Sequence, residues 1–198
     1  MRTRTIFIGI AVLGLLGLVF FLGNSVAKQQ KGSNANEAQI QRGEYLVNIG
    51  GCNDCHSPKI FTSKGPEPDP TRLLSGYPAA LKLPQIPQGV IGPDKWGGLL
   101  SNDLTGWVGP WGVSFSANLT PDAETGLGNW TEEMFIKAIR TGKHVGVGRD
   151  ILPPMPWYDL AKLNDADLKA MFAYLRTLKP IKNAVPIPMP PTSEKSKD

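Results

Sequence analysis

Cysteine and histidine are both scarce in this sequence of 198 residues, which contains two of each. The cysteines, Cys52 and Cys55, are so close together that a disulfide between them would close a very short loop and add little stability. A structural zinc site needs four protein ligands, and beyond this pair and the adjacent His56 the only other conventional ligand is His144. These shortages argue against both a disulfide framework and a structural zinc site.

Two further features are missing. No long stretch alternates polar and apolar residues, which argues against the αβ repeat of a thioredoxin-like fold. The formal net charge of +4 falls to +2 without Arg2 and Arg4, which precede an apolar run. Because no basic patch with interleaved aromatic residues is visible, the sequence predicts no nucleic-acid partner.

The apolar run spans residues 6–22, and a polar stretch begins at Lys28 after several small residues. It is slightly longer than the core of a secretory signal and slightly shorter than a membrane-spanning helix. Residues 1–27 are therefore either a signal peptide cleaved near Ala27 or a membrane anchor. Both alternatives put residues 28–198 on the periplasmic side of a bacterial inner membrane, since basic residues favour the cytoplasmic side.

Apolar spacing and capping residues predict three helices in the rest of the chain. They run from Glu37 to Asn48 after the N-cap Asn36, from Thr131 to Thr141 before Gly142, and from Asn164 to before Pro180. Their apolar faces are Ile40, Gly43, Leu46 and Val47, then Phe135, Ala138 and Ile139, then Leu168, Met171, Phe172 and Leu175. We expect one mainly α domain over residues 37–185, preceded by a linker at residues 28–36.

Residues 59–117 form a long segment rich in proline, glycine and tryptophan. A disordered linker would not contain so many large apolar side chains, among them Leu74, Tyr77, Trp96, Trp107, Trp111 and Phe115. We expect an ordered insertion that covers something hydrophobic, because long loops of this kind are usually functional. Residues 186–198 are predicted to be a proline-rich strap followed by a charged tail.

The letters CNDCH at residues 52–56 concentrate both cysteines and one histidine in five positions. Cys-x-x-Cys-His is the attachment signature of c-type haem. The thiols of Cys52 and Cys55 would add to the two vinyl groups of the porphyrin, and His56 would become the proximal ligand of the iron. The carbonyl of Pro58 is predicted to accept the other imidazole N–H. A redox dithiol is the alternative, but it would leave His56 and the tryptophan-rich insertion without a role.

The sixth ligand must come from a distant part of the chain. Met155 lies in the segment ILPPMPW, residues 151–157, where prolines on both sides fix the backbone and aim one flexible thioether. Met134 and Met171 fall within predicted helices, where methionine is usually a core residue. His144 could also ligate the iron or lie near a haem propionate. The prediction is His56 and Met155, with His144 as the alternative distal ligand.

At these residues the chain resembles the class I c-type cytochromes with one haem. Residues 111–131, WGVSFSANLTPDAETGLGNWT, and the ILPPMPW segment are similar to mono-haem cytochromes c of bacterial membrane and periplasmic electron-transfer chains. That group includes cytochrome subunits of periplasmic dehydrogenases. The resemblance implies a cytochrome c-like fold in which the first and last helices cross. The expected contact joins Gly43, Tyr45 and Leu46 on the first helix to Tyr174 and Leu175 on the last. The insertion separates the haem-attachment motif from the methionine loop by more than in small soluble members.

The resemblance implies one-electron transfer by one covalent haem c, in an exported or membrane-tethered carrier with no substrate chemistry of its own. Its expected redox partner is a dehydrogenase, a quinol-oxidising complex or a terminal oxidase, and the membrane is a further partner if the N-terminal segment is retained. Two alternatives belong to other classes. A haem peroxidase or ligand-binding sensor would need an open sixth position, and a dithiol or structural protein would make the motif accidental.

Overall fold

The computed structural model describes residues 34–191. The predicted signal or anchor at residues 1–27, most of the predicted linker and the charged end of the tail lie outside the described residues. Within residues 34–191, no helix combines the length and apolar character needed to cross a membrane.

The chain divides into two compact units, Met1–Ile40 and Gln41–Asp198. Residues 34–40 of the first unit are helical, and this helix, α1, continues to residue 49 in the second. The prediction of Asn36 as its N-cap is wrong because Asn36 lies inside the helix. Capping preference marks a region in which a helix can start, and the exact residue depends on the surrounding structure.

Four more α-helices and one 3₁₀ turn follow. They are α2 (Cys52–His56), α3 (Glu132–Thr141), the turn at His144–Gly146, α4 (Trp157–Leu160) and α5 (Asp165–Leu175). The predicted caps of α3 and α5 are confirmed: the side chain of Thr131 accepts a hydrogen bond from the Met134 amide at 3.2 Å, and that of Asn164 accepts one from the Asp167 amide at 2.8 Å. The predicted stop at Gly142 is also confirmed by its left-handed backbone, with φ of 65°.

Five short strands occupy parts of the predicted insertion. Strands β1 (Lys59–Thr62) and β2 (Gly65–Pro68) form an antiparallel hairpin, and β3 (Leu99–Leu100), β4 (Gly106–Gly109) and β5 (Gly112–Phe115) form an antiparallel sheet in that order. The sequence did not reveal them because two to four residues are too few for an alternating pattern to show. From the proline-rich tail, Met189 pairs with Val113 of β5, with N···O distances of 2.8 and 3.0 Å.

The hydrophobic core lies between the helices. Its buried members are Val47, Leu74, Leu127, Phe135, Ile139, Leu168, Met171, Phe172 and Leu175. The predicted apolar faces of α3 and α5 are therefore confirmed. The two helices contact each other through Phe135 and Phe172, whose ring centroids lie 5.3 Å apart. Burying each large side chain of this kind contributes about 1.5–3 kcal/mol of hydrophobic stabilisation.

Helices α1 and α5 approach most closely at Gly43. A Cβ atom on Gly43 would lie 1.9 Å from the carbonyl oxygen of Ala170 and 2.9 Å from Cβ of Tyr174, so only glycine allows this contact. Beside it, Arg42 Nε lies 2.8 Å from Asp167 Oδ1. Tyr45 was expected at the same contact, but it is exposed and its ring lies under the Arg42 guanidinium. The crossing therefore depends on the absence of a side chain rather than on an aromatic pair.

Candidate functional site

Helix α2 carries both cysteines and the motif histidine. The chain enters it through Gly51, whose φ of 64° is left-handed and whose Cβ, if present, would lie 2.9 Å from Asp54 Oδ2. Residues three apart in a helix are neighbours on its surface, so Cys52 and Cys55 lie next to each other on α2, the first against the helical core and the second at the cavity described below. Both are partly buried and unpaired with each other. The spacing thus presents two adjacent thiols, as the attachment of one planar group with two vinyl substituents requires.

The environment of these thiols disfavours dithiol redox chemistry. Burial raises the pKa of Cys52 to about 11. Burial, followed by the nearby carboxylate of Asp54, also raises the pKa of Cys55. Reactive redox cysteines usually have lowered pKa values because the thiolate is the nucleophile. The raised pKa values of Cys52 and Cys55 are thus opposite in direction to those of reactive redox cysteines.

His56 is buried, with 8% of its surface exposed. Its Nδ1 donates a hydrogen bond to the carbonyl of Ala117 at 2.8 Å, which leaves Nε2 as the nitrogen that can ligate a metal. Burial lowers the pKa of His56, which favours the neutral imidazole that ligation requires. The prediction that the Pro58 carbonyl accepts this hydrogen bond is wrong, because that carbonyl accepts the backbone N–H of Asp69 at 2.8 Å. No local pattern could identify Ala117, which lies 61 residues after the histidine.

The C-terminal end of α2 is closed by donors from the insertion. The Gly76 amide donates to the His56 carbonyl at 2.7 Å, and the Ser116 hydroxyl donates to the Cys55 carbonyl. Carbonyls in the last turn of a helix lack partners within the helix. These long-range bonds satisfy them and fix the orientation of α2, and with it the orientation of the histidine ring.

A cavity of about 480 Å³ opens next to α2. Cys55 and His56 line it, and so do His144, Arg149 and Met155 from the part of the chain that follows α3. Its volume lies within the range of roughly 300–1,000 Å³ that is typical of ligand sites. The structure therefore brings to one cavity the predicted proximal ligand, the predicted distal ligand and the alternative distal ligand. Cys52 is placed instead against the helical core.

Met155 belongs to a segment that is attached to the rest of the domain at both ends. The Ser114 hydroxyl of β5 donates to the Pro153 carbonyl at 2.5 Å. At the other end, the indole of Trp157 covers Gly142, where a Cβ would lie 2.4 Å from the ring. Met155 itself is held by a bond from the Trp157 amide to its carbonyl, 2.9 Å long. The segment is thus positioned at its ends, while the thioether between them is free to adjust.

His144 and Arg149 lie in the loop between α3 and the methionine segment. The His144 amide donates to the Arg149 carbonyl at 2.8 Å, and the imidazole meets the ring of Trp130 edge-on at 5.2 Å. Burial and the neighbouring Arg149 both lower the pKa of His144. The loop therefore adds one neutral imidazole and one guanidinium to a wall that is otherwise mainly apolar.

The insertion at residues 59–117 was predicted to cover a hydrophobic part of the molecule, and only some of its large side chains do so. Leu74 and Tyr77 are each 1% exposed, and Trp107 and Phe115 line the cavity. Trp96, in contrast, is 70% exposed. The strands β4 and β5 thus cover the site, whereas the irregular stretch before them lies at the surface.

No protein-family model matches this chain, but several curated relatives are cytochrome subunits. The cytochrome c subunit of alcohol dehydrogenase (quinone) from Gluconobacter oxydans is 31% identical over 172 residues, which are 86% of this chain and 27% of that protein. The gluconate 2-dehydrogenase cytochrome c subunit from Pantoea cypripedii is 32% identical over 71% of the chain and 23% of its own length. The fructose dehydrogenase cytochrome subunit from Gluconobacter japonicus is 28% identical over 75% of the chain and 23% of its own length.

The chain thus spans about a quarter of the length of these curated relatives. The names of these relatives describe cytochrome subunits of dehydrogenases, which agrees with the electron-transfer function predicted from the CNDCH motif. The similarity covers most of this chain but only part of each relative.

Proposed function

We propose that this chain is an electron carrier with a single haem c, in a mainly α fold of the class I cytochrome c type. The observation that carries the proposal is the cavity beside α2. Its wall joins the attachment motif, through Cys55 and the buried His56, to Met155 about a hundred residues later in the chain. A soft thioether and a neutral imidazole are the axial pair found in cytochromes c.

The residues present fit a haem of the c type. Two neighbouring thiols on α2 match two thioether bonds, and these 198 residues contain no further cysteine for a second attachment. Arg149 lines the same cavity, and its guanidinium makes one weak bond, 3.3 Å long, to the Asp150 carbonyl. A carboxylate from the cavity's occupant would be its natural partner, because guanidinium and carboxylate groups pair strongly. Haem carries two such carboxylates.

Different residues of the chain would have different roles at the site. Cys52 and Cys55 would hold the group covalently, and the bond from His56 Nδ1 to Ala117 leaves Nε2 as the nitrogen that would ligate the iron. Met155 would supply the distal sulfur. Its neighbours in the chain, Leu152, Pro153, Pro154 and Pro156, carry no side-chain proton donor, and the donors of this wall, His144 and Arg149, come from the preceding loop. Haem, when bound, supplies a one-electron couple at its iron, and thioether ligation raises the potential of that couple.

The proposed redox partner is a dehydrogenase, because the relatives named above are cytochrome subunits of dehydrogenases. We place residues 28–198 on the periplasmic side of a bacterial inner membrane. The segment 1–27 would either anchor the chain there or be removed near Ala27. The cytochrome domain would occupy residues 37–185, with residues 59–117 as its insertion and residues 186–198 as the strap and tail.

A visible spectrum of the purified protein tests this proposal. Reduced protein should show a low-spin c-type spectrum that carbon monoxide changes little, and reduction and reoxidation should be fast and reversible. A spectrum that shifts fully on adding carbon monoxide, with rapid peroxide turnover, would instead support a peroxidase or a sensor with an open sixth position. Protein that purifies without haem would support the alternative of a dithiol or structural protein, in which the CNDCH sequence is accidental.

A further inference from the structure

Lys59 is buried immediately after the attachment motif. Only 8% of its surface is exposed, although lysine is almost never buried in proteins unless its charge is paired. It lies at the first position of β1, three residues after His56. Because removing an ammonium group from water is costly, a lysine at such a position requires a physical explanation.

The partners of Lys59 are neutral. Its Nζ donates to the carbonyl of Asn53 at 3.2 Å and to the carbonyl of Ser57. None of the ion pairs found among residues 34–191 includes Lys59. These bonds engage two of the three ammonium hydrogens, with one acceptor within α2 and one immediately after it. They leave its positive charge without a carboxylate in direct contact.

The acidic groups closest to Lys59 are engaged elsewhere. Asp103 is buried, and its two oxygens accept hydrogen bonds from the hydroxyls of Ser101 at 2.6 Å and of Thr105 at 2.5 Å. Asp54 is exposed on α2, where water screens its charge. Because neutral hydroxyls do not neutralise a carboxylate, Asp103 offsets part of the Lys59 charge without direct contact. The ammonium group itself is held at the carbonyls of Asn53 and Ser57, on either side of His56 in the chain.

We propose that Lys59 is an electrostatic positioning residue of the haem site, which raises the reduction potential by placing a buried positive charge beside the proximal ligand. This inference rests on the proposed haem function. Asn53 and Ser57, which hold Nζ, lie on either side of His56 in the chain. The oxidised iron site carries one more positive charge than the reduced one, so a nearby cation favours the reduced form.

The size of the effect follows from Coulomb's law. Two unit charges about 10 Å apart, at an effective dielectric constant of about 20, interact strongly enough to change an equilibrium constant roughly tenfold. Removing the Lys59 charge should therefore raise the ratio of oxidised to reduced protein about tenfold at a fixed solution potential. For a one-electron couple, this ratio corresponds to a fall in midpoint potential of about 59 mV.

The experiment is a potentiometric titration of the full-length haem protein and four variants. Lys59→Gln removes the charge but keeps a side-chain N–H donor for the carbonyls, and Lys59→Met removes both. Lys59→Arg keeps the charge. Lys64→Met removes a positive charge from the exposed turn of the same hairpin and is the matched control. We expect the tenfold shift in Lys59→Gln and Lys59→Met, and potentials near that of the parent in Lys59→Arg and Lys64→Met.

Two results would overturn the role of Lys59 while leaving the haem site intact. One is a parental potential in both neutral variants, with the His/Met spectrum preserved. The other is an equal shift in Lys59→Arg, which would indicate altered packing rather than charge. A parent protein without covalent haem would instead refute the proposed function itself, and the spectrum recorded before each titration distinguishes this case.

Discussion

His56 and Met155 line the same cavity from walls that the chain builds in different ways. The proximal wall is a five-residue helix whose histidine is 8% exposed and whose last carbonyls receive donors from residues 76 and 116. The distal wall is a proline-rich segment attached at Pro153 and Trp157, with a partly exposed methionine between them. The proximal wall is fixed by long-range hydrogen bonds to its helix, whereas the distal wall is fixed only by its contacts at Pro153 and Trp157.

This difference matches the chemistry of the two proposed ligands. An imidazole must present one nitrogen with the correct tautomer and ring orientation, so it needs a partner for its second nitrogen. A thioether has three rotatable bonds and a polarisable sulfur, and therefore reaches its target from a less constrained backbone. We accordingly expect the protein to tolerate changes near Met155 better than changes near His56.

The largest expected effect comes from the cysteines of the proximal wall. Replacing Cys52 and Cys55 together by serine should abolish covalent haem, because these are the only thiols in the sequence. Each single replacement should leave one thioether. Haem staining of denatured protein, with the pyridine spectrum to count saturated vinyl groups, measures this directly. Covalent haem in the double variant would refute the attachment site.

Replacing Met155 by alanine tests the distal wall. The iron should then bind carbon monoxide or cyanide, and the reduction potential should fall because thioether ligation is lost. Met134→Ala is the matched control, since Met134 is partly exposed on α3 and does not line the cavity. A sulfur-to-iron band that survives in Met155→Ala would contradict the assignment. A bis-imidazole spectrum in the parent that is lost in His144→Ala but not in Met155→Ala would favour His144 as the distal ligand.

A substitution at Gly43 tests how the proximal wall is supported, because α1 leads directly into α2. Gly43→Ala would place a methyl group 1.9 Å from the Ala170 carbonyl and should cost about 1–3 kcal/mol of unfolding free energy. Gly97→Ala is the control, since no atom lies within 4 Å of its added Cβ. Denaturant unfolding of both variants gives the difference. Equal stability of the two would mean that the helix crossing is looser than the structure indicates.

The smallest expected effect concerns pH. Hydrogen bonds from Thr71 and Arg72 lower the pKa of Asp69 from 3.8 to about 2. Because the folded-state pKa is lowered, this stabilisation is complete above about pH 4 and is lost as the pH falls through about 2. Asp69→Asn should remove that part of the acid dependence and cost at most about 1 kcal/mol at neutral pH. Asp94→Asn, at an exposed position of the same insertion, should leave the acid profile unchanged.

Local parts of the structure could be predicted from the sequence, and long-range parts could not. The bounds of α3 depend on Thr131 and Gly142, which act within one turn, so residue types alone identify them. The partner of the His56 ring is Ala117, whose backbone carbonyl has no residue-specific signal. The Ser116 bond to α2 is equally remote. The exposure of Trp96 was also unpredictable, because the side of an irregular segment that faces solvent depends on what packs against it.

The sequence CNDCH predicts haem attachment because thioether chemistry requires a fixed spacing of two cysteines and a histidine, and this role stays a prediction. The distal methionine was identified from its proline neighbours, and the structure places it at the cavity that His56 lines. Its role as a ligand stays a prediction until the iron spectrum of the variants is measured. Lys59 had no sequence signal, since a lysine after a Ser-Pro pair is ordinarily exposed.

The most direct test of the account is the mass of the denatured protein after extraction with acid–acetone. If Cys52 and Cys55 both hold the haem, the polypeptide should keep the mass of one haem, and thiol reagents should find no free cysteine. The peptide that contains residues 52–56 should carry the whole of the added mass. Extraction of the haem into the organic phase, or two free thiols in the polypeptide, would contradict the account.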